Sequence, residues 1–583
     1  MSRLKGISVP KALGIMVLIA LAVCAPMLLS GAPHGHSYTY NLSWMQGFTA
    51  QLAQGDLYPR WLVEGNFGGG SAAFYYYAPF PFYVTAIPGL LFPQSSPLMQ
   101  LAWGEWMLIA LSGVAFVVYA RERFALPVAV PAAAIYMVLP YHFEIDLWQR
   151  QDVGELAAYI FMPLILLYTD RIFDKRRGVV GLAVSYALLV LSHLPSALLF
   201  SICLGVYVIA LIRGRESAGL LLKFAGGVIV GLMLSAVYWV PALSSLHYVH
   251  AAEGLWTLPQ FDFHKWFFPV QDSLRQLPIL PVIAERLFAI LCAMTLVFLI
   301  CGSSCWRWRE AIGARKMVGA LAMLAIAWFL MTPLSTFVWE HAPALSKVQF
   351  PYRLGVVVDV TAALAALYAM HCAYTQRDRI ATAAVLGAAA LLGWSLMTGH
   401  FQHDLGDWRK PGVVALREQF VRDRGEAREY ITRWSTQESG ARIQRQDRIV
   451  YDKSAGTFSV SRWNARDIGF DVSATRPVQV TVRQFYFPNW RAVTESGLEL
   501  KVSPSTPDGL TVVDLPKGTY RVSLRLEMLP QEWIGTLTTL LAVLGLLAFS
   551  GLRTPAAAHL RRLSRWISTV QEAWRGAARS PDP

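Results

Sequence analysis

The sequence predicts a polytopic, all-α membrane protein that carries a β-sandwich domain on its exterior side near the C-terminus. Of its 583 residues, 55% are hydrophobic and only 15% are charged, whereas soluble domains carry about 25% charged residues. Apolar runs of about 20 residues, the length that spans a membrane, recur through residues 1–399. Residues 400–530 differ, because charges of both signs and alternating apolar positions replace those runs.

Short clusters of Lys and Arg between the apolar runs predict the topology. Basic residues concentrate on the cytoplasmic side of membrane proteins, so we place all of the clusters there, together with both chain termini. The net charge of +13 then reflects topology rather than binding to nucleic acid. This arrangement gives about 12 spans. The predicted spans are 12–30, 98–120, 125–141, 154–172, 178–192, 195–212, 218–242, 286–303, 317–334, 353–373, 380–397 and 532–552.

Residues 31–97, here called the first-loop segment, are aromatic, rich in Gly and Pro and poor in charge. Trp and Tyr favour the membrane interface, and irregular backbone is tolerated at that depth only where it packs on protein or lines a cavity. The segment is therefore predicted to form the wall of a site at the outer face. Its apolar run Phe80–Phe92 would turn Arg121 and Arg123 outward if it spanned, so we predict an interfacial or re-entrant segment there.

The polar region at 400–530 is predicted to be an exterior antiparallel sandwich, because runs with period-two alternation are separated by turn residues. Those runs are 457–463, 468–473, 478–485, 498–502, 510–515 and 519–528. The chain then divides into a transmembrane domain at 1–399, the exterior domain at 400–530, a last transmembrane helix at 531–552 and a basic cytoplasmic tail at 553–583.

Ionisable residues at exterior helix ends concentrate in a predicted short loop from Glu144 to Asp152, before a helix that starts near Gly154. Asp152 and Glu155 share a face if the helix has begun there. Asp152 could simply cap the helix and pair with Arg150. The functional alternative is that these acids bind a metal or a cationic group, or act as a base, since an acid at the membrane edge is a functional candidate.

Two further exterior residues are candidates. Arg353 lies where an inward helix begins, and its guanidinium could hold a phosphate bidentately or anchor the helix at the interface. His193 lies in the corner between two helices, where a hydrogen-bonded structural role competes with a role as a ligand. The six cysteines lie within, or at the inner ends of, hydrophobic runs, so no disulfide framework is predicted.

Several of these motifs follow one another in an order that resembles a known family. Gly35-His36 and Tyr58-Pro59-Arg60-Trp61 are followed by an aromatic end at 74–79, then by 150–155, Ser192-His193 and Gln349–Arg353. The order resembles bacterial membrane proteins labelled "6-pyruvoyl-tetrahydropterin synthase-related", which look like GT-C type glycosyltransferases that use polyprenyl-phosphate-linked sugars. The stretch Phe485–Trp490 before the last helix is similar to the exterior end of YfhO-like proteins.

The resemblance implies a GT-C-like glycosyltransferase of the bacterial inner membrane, which moves a sugar from a polyprenyl-phosphate donor to an exterior glycan or lipid acceptor. Its partners would be the donor, the acceptor and membrane lipids. A divalent metal is a candidate cofactor, with no ligand residue assigned. The resemblance implies Glu155 as a catalytic carboxylate and, as substrate-binding residues, His36, Arg60, Arg150, His193 and Arg353. Asp152 is not part of the family's pattern, and we add it as a second catalytic carboxylate because it lies three residues before Glu155.

One departure from the family keeps other functions open. The family normally has Asp after Gly-His and a His or aromatic residue four positions later, where this chain has Ser37 and Asn41. Since the first-loop Asp serves GT-C enzymes as metal ligand or base, an alternative is a non-catalytic scaffold or assembly subunit of an exopolysaccharide or cell-envelope glycan system. A transporter of lipid-linked glycans is a third, disfavoured because few buried charges are expected along the helices.

Overall fold

The structure is a computed structural model that describes residues 8–252, 262–268, 280–401, 411–444 and 446–551. The predicted basic tail at 553–583 therefore lies outside the described residues. In these ranges the α-helices, in chain order, are α1 Val9–Val23, α2 Ala25–Ser30, α3 Tyr38–Ala53, α4 Gly65–Gly68, α5 Ala73–Tyr76, α6 Phe80–Leu91, α7 Pro97–Ala120, α8 Leu126–Met137, α9 Val153–Phe173, α10 Val179–Ser192, α11 Leu194–Leu211, α12 Ala218–Leu234, α13 Ala236–Ser244, α14 Leu280–Cys305, α15 Arg309–Ile312, α16 Ala314–Leu330, α17 Thr336–His341, α18 Pro343–Ser346, α19 Gly355–Gln376, α20 Arg379–Phe401, α21 Pro411–Arg422, α22 Gln437–Ile443 and α23 Pro530–Gly551.

Eight helical stretches in the described part of the chain are long and apolar enough to cross a membrane, as in a multi-pass membrane protein. A ninth is obtained if α16 and the stretch Pro333–His341, bent by 86° against each other, count as one span. Three more predicted spans coincide with shorter apolar helices, α1, α10 and α20. The number of about 12 spans therefore stays a prediction. The eight stretches are Pro97–Ala120, Leu126–Arg150, Val153–Phe173, Leu194–Leu211, Arg215–Leu234, Arg286–Trp308, Pro351–Gln376 and Pro530–Phe549.

The first-loop segment is more helical than its composition predicted. It contains α3, α4, α5 and α6, where the sequence indicated irregular backbone. The longest of these, α3, buries residues on several sides, among them the consecutive residues Ser43, Trp44 and Met45. A helix enclosed in this way needs no amphipathic period, which is why no helical pattern is visible in the sequence there.

The predicted antiparallel β region is confirmed near the C-terminus. Two sheets form, with strand orders β1-β4-β8-β7 and β2-β3-β9-β5-β6. Buried residues of both sheets, such as Phe470 and Val513, belong to one apolar core, as in a sandwich. The strands are β1 Ile449–Val450, β2 Gly456–Asn464, β3 Asp467–Ala474, β4 Val478–Phe485, β5 Trp490–Thr494, β6 Glu499–Leu500, β7 Val502–Pro504, β8 Leu510–Leu515 and β9 Gly518–Leu526.

β4 contacts the first-loop segment at the glycine triplet Gly68–Gly70. The Phe485 amide donates to the Gly69 carbonyl at 2.5 Å, and the Gln484 side chain donates to the Gly68 carbonyl at 3.2 Å. A Cβ on Gly69 would lie 2.5 Å from the Phe485 ring, closer than atoms can pack. Only glycine therefore permits this approach of the two backbones, and the β region shares its core with Trp61 of the first-loop segment.

Candidate functional site

The site begins with a π-helix, Tyr141–Arg150, where the sequence predicted a short loop from Glu144 to Asp152. The loop prediction was wrong because these polar residues are buried and bond to one another rather than to water. A carboxylate oxygen of Asp359, from α19, accepts the His142 amide at 3.0 Å and so satisfies one orphan donor at the start of the helix. Pro140 precedes the helix, and Gln151 ends it in a left-handed conformation with φ 53°.

Arg150 lies at the centre of three buried carboxylates. Its guanidinium contacts Asp146 at 2.7 Å, Asp152 at 2.7 Å and Glu155. We call these four residues the Arg150 cluster. The guanidinium carries one positive charge, so it offsets only part of the charge of the three acids, and an acid that stays uncompensated in a protein interior is costly. Asp152 and Glu155 thus lie together, as predicted, but Arg150 is held by carboxylates and is not directed towards a separate substrate.

The oxygens of Asp152 and Glu155 all accept hydrogen bonds. Asp152 caps α9 by accepting the Glu155 amide at 3.1 Å, which confirms the predicted capping role. The remaining Asp152 oxygen and one Glu155 oxygen bind Arg150, and the other Glu155 oxygen accepts the Ser196 hydroxyl at 3.3 Å. Substrate would have to displace one of these donors before either acid could act as a base.

His193 joins the same network through Ser196. A ring nitrogen of His193 lies 2.7 Å from the Ser196 hydroxyl, which in turn donates to Glu155. Burial lowers the pKa of His193. Burial alone would raise the pKa of Asp152, but the basic groups around it, His193, Arg150 and Arg353, outweigh that effect and hold the pKa below its usual range. Asp152 is therefore a carboxylate at neutral pH.

The first-loop segment covers this network, as the sequence predicted. The amides of His36 and Ser37 donate to the carbonyls of Gln149 at 2.8 Å and Arg150 at 2.9 Å, and the Asn41 side chain donates to the Gln151 carbonyl. These bonds satisfy orphan carbonyls at the end of the π-helix. Asn41 acts here as a donor, a role that a carboxylate could not fill.

The His36 ring lies within electrostatic reach of the Arg150 cluster. Desolvation by the surrounding protein and the positive charges of Arg150 and Arg417 lower the pKa of the ring, although the residue as a whole remains exposed to solvent. The ring is therefore neutral at neutral pH. Tyr77, further along the same segment, lies within electrostatic reach of Asp152 and Arg353, and burial raises its pKa.

Arg353 occupies a different electrostatic position from Arg150. It lies in a short 3-10 turn before α19, stacks 5.4 Å from the Phe350 ring centre and donates weakly to the Val348 carbonyl at 3.3 Å. Within the described ranges, no carboxylate lies at ion-pair distance from Arg353, and its Nε is buried without a hydrogen-bond partner. It is thus a guanidinium with capacity left to bind an anion.

Arg60 is not brought to the Arg150 cluster. Its Nε lies 3.3 Å from Glu532 at the start of α23, and it donates to the Val237 carbonyl at 2.7 Å. Glu532 is also bound by Arg466 of the β region at 3.0 Å. Arg60 therefore connects the first-loop segment to the last helix and the β region. These contacts give no support to the predicted role of Arg60 in substrate binding.

Sequence reasoning missed several buried acids in the helices. Fully enclosed carboxyls in this region include Glu105 of α7 and Asp359 of α19, and Asp170 of α9 is almost fully enclosed. The expectation of few buried charges along the helices was therefore wrong. Single acids inside apolar runs are a recognisable signal, and that signal would have found Glu105 and Asp359.

No group of three or more His, Cys, Asp or Glu side chains is arranged to hold a metal ion in the portion of the chain that the structure describes. In comparisons with known proteins, no protein-family model matches the chain and no curated protein matches it.

Proposed function

We propose that this protein is an integral membrane glycosyltransferase of GT-C type, which moves a sugar from a polyprenyl-phosphate donor to an exterior glycan or lipid acceptor. The observation that carries the proposal is Arg353. Among the described residues, it is a guanidinium without a carboxylate at ion-pair distance, and it lies within electrostatic reach of Asp152 in the Arg150 cluster and of Tyr77 in the first-loop segment. A planar guanidinium suits phosphate recognition.

The proposed roles follow from the contacts. Arg353 would bind the donor phosphate, and His36 and Tyr77 would face the sugar from the first-loop segment. Asp152 is ionised at neutral pH, so it can stabilise positive charge that develops at the reacting sugar carbon. Arg150 would fix Asp152 and Glu155 rather than touch substrate. Glu155 could take a proton only after the Ser196 hydroxyl moves away from its oxygen.

A second candidate function is a non-catalytic scaffold of a cell-envelope glycan system. The observation that favours it is the saturation of Asp152 and Glu155 by Arg150, Ser196 and a backbone amide. A cluster satisfied internally in this way is also what a purely structural core would contain.

Lipid binding distinguishes the two candidates. We expect a polyprenyl phosphate to raise the thermal stability of the purified protein, because a ligand that binds only the folded state stabilises it. The matching polyprenol, which lacks the phosphate, should have little effect. Arg353→Lys should lose the stabilisation. Arg433→Lys should keep it, since Arg433 is exposed and stacks on Trp434. Equal stabilisation by phosphate and alcohol, or full retention in Arg353→Lys, would favour the scaffold.

A further inference from the structure

Arg417 of α21 reaches from the region before the β strands into the first-loop segment. Its side chain is buried and donates to the carbonyls of His34 at 3.2 Å and Gly35 at 2.5 Å. The guanidinium also lies 5.1 Å from the Tyr38 ring centre, within the range of a cation–π contact. Burial lowers the pKa of Arg417 to about 10, so the group stays charged at neutral pH.

One peptide unit joins Arg417 to the π-helix. The carbonyl of Gly35 accepts from Arg417, and the amide on the other side of the same peptide bond, that of His36, donates to the Gln149 carbonyl at 2.8 Å. Hydrogen bonds arranged in a chain polarise one another. The charge of Arg417 therefore strengthens the bond that holds His36 to the end of the π-helix, next to Arg150.

The backbone at Gly35 has no space to shift towards the π-helix. A Cβ on Gly35 would lie 2.8 Å from the Gln151 Cβ and 3.1 Å from the Gln149 carbonyl oxygen. The peptide is thus held between Arg417 on one side and residues 149–151 on the other. Loss of Arg417 would leave the Gly35 carbonyl with the longer bond from the Tyr38 amide, at 3.3 Å, and would leave the peptide its contacts on the π-helix side.

Further contacts along the same edge fix α21 against α3. Phe420 meets the Tyr40 ring edge-on at 5.3 Å. Glu426, just after α21, accepts the Trp44 indole N–H at 2.9 Å. These contacts hold α21 against α3 without Arg417. The Arg417 guanidinium is therefore not needed to anchor the helix by itself, and its hydrogen bonds act mainly on the peptide between Gly35 and His36.

We propose that Arg417 is a positioning residue of the candidate site, which holds the Gly35–His36 peptide and so sets how His36 faces Arg150 and Asp152. The inference rests on the proposed function for its catalytic meaning, but its geometry can be tested separately. With this role for Arg417, the region before the β strands takes a direct part in forming the site.

Hydrogen exchange of the full-length protein, resolved at residues 34–41, tests the inference. Arg417→Met removes both donors, and we expect exchange at the His36 and Ser37 amides to rise by about tenfold or more, since bonds to charged groups are among the stronger ones. Exchange in β3 and β9 should stay unchanged. Arg417→Lys should recover most of the protection, because an ammonium also donates to carbonyls. The matched control is Arg422→Met on the same helix, where Arg422 is exposed and pairs with Glu418.

Two results would overturn the inference: protection of His36 and Ser37 in Arg417→Met equal to that of the wild type, or a loss spread equally over the β strands, which would mark Arg417 as a general anchor. The hydrogen-exchange result tests the role of Arg417 even if a polyprenyl phosphate does not stabilise the wild type. A lack of stabilisation by the polyprenyl phosphate would count against the proposed function alone.

Discussion

The Ser37 amide donates a hydrogen bond to the carbonyl of Arg150 at 2.9 Å. Ser37 thus contributes a backbone contact to the end of the π-helix. The negative charge next to the first-loop segment comes from Asp146, Asp152 and Glu155, which Arg150 holds together.

Removal of Arg150 should destabilise the protein strongly. Arg150→Met leaves three buried carboxylates without their shared cation, and breaking a buried ion pair from one side costs about 3–5 kcal/mol. Asp146→Asn and Glu155→Gln in the same chain should recover part of the loss, because they remove the uncompensated charges. Thermal unfolding of the three proteins measures this. If Arg150→Met alone were as stable as the wild type, the cluster would not be ionised as described.

Glu426 should make stability depend on pH. It is buried and accepts the Trp44 indole at 2.9 Å, the Ala427 amide at 2.7 Å and the Ser71 hydroxyl. Burial raises its pKa from 4.5 to about 7, and the nearby Glu429 adds to this. Because the folded-state pKa is the higher one, the stabilisation is complete below about pH 4.5 and is lost as pH rises to about 7. The loss of stability between these two pH values corresponds to about 3 kcal/mol in the free energy of unfolding.

The measurement is the melting temperature of wild type and Glu426→Gln between pH 5 and 8. The wild type should lose stability relative to the variant up to about pH 7 and change little above it. Glu438→Gln, at an exposed position, should keep the pH dependence of the wild type. Parallel curves for wild type and Glu426→Gln would contradict the assignment.

The charge of Glu532 should hold the β region on the membrane domain. Glu532 is fully buried and binds Arg60 at 3.3 Å and Arg466 at 3.0 Å. Glu532→Gln leaves two guanidinium groups without a carboxylate, at a cost of about 3–5 kcal/mol. Limited proteolysis should then cut between the β region and α23 faster than in the wild type. Glu499→Gln, whose partner Arg491 is exposed, should not change the rate.

The sequence predicted the elements whose signals are local. Apolar runs gave the positions of the helices, alternation gave most of the β strands, and the order Asp152-x-x-Glu155 gave a cap that the structure confirms. β1 and β5 were missed because they are short, with two and five residues. These successes concern residues close together in the chain.

Partners distant in the chain could not be predicted. Arg60 was expected near substrate, and only the fold brings it to Glu532. Arg417 was not among the candidate residues predicted from the sequence, and its contact with Gly35 depends on how α21 docks on α3. The helix α3 could not be predicted either. Neighbouring segments enclose it, so its sequence lacks the apolar periodicity that indicates a helix at a protein surface.

Topology is tested by reporter fusions at two loops of the structure. Pro93 lies between α6 and α7, and Arg123 lies between α7 and α8. The distribution of basic residues predicts that a fusion after Pro93 reads as exterior and one after Arg123 as cytoplasmic. A cytoplasmic reading at Pro93 would mean that Phe80–Leu91 crosses the membrane, and the predicted orientation of the site would then be wrong.

The most direct test of the proposed function is the profile of polyprenyl-linked sugars in a deletion strain. We expect a polyprenyl-phosphate sugar to accumulate in that strain and to be cleared by the wild-type gene and by Arg433→Lys. Arg353→Lys should fail to clear it at equal protein level, since loss of a bidentate phosphate contact costs about 100-fold in rate. An unchanged lipid profile in the deletion strain, or full clearance by Arg353→Lys, would contradict the transferase.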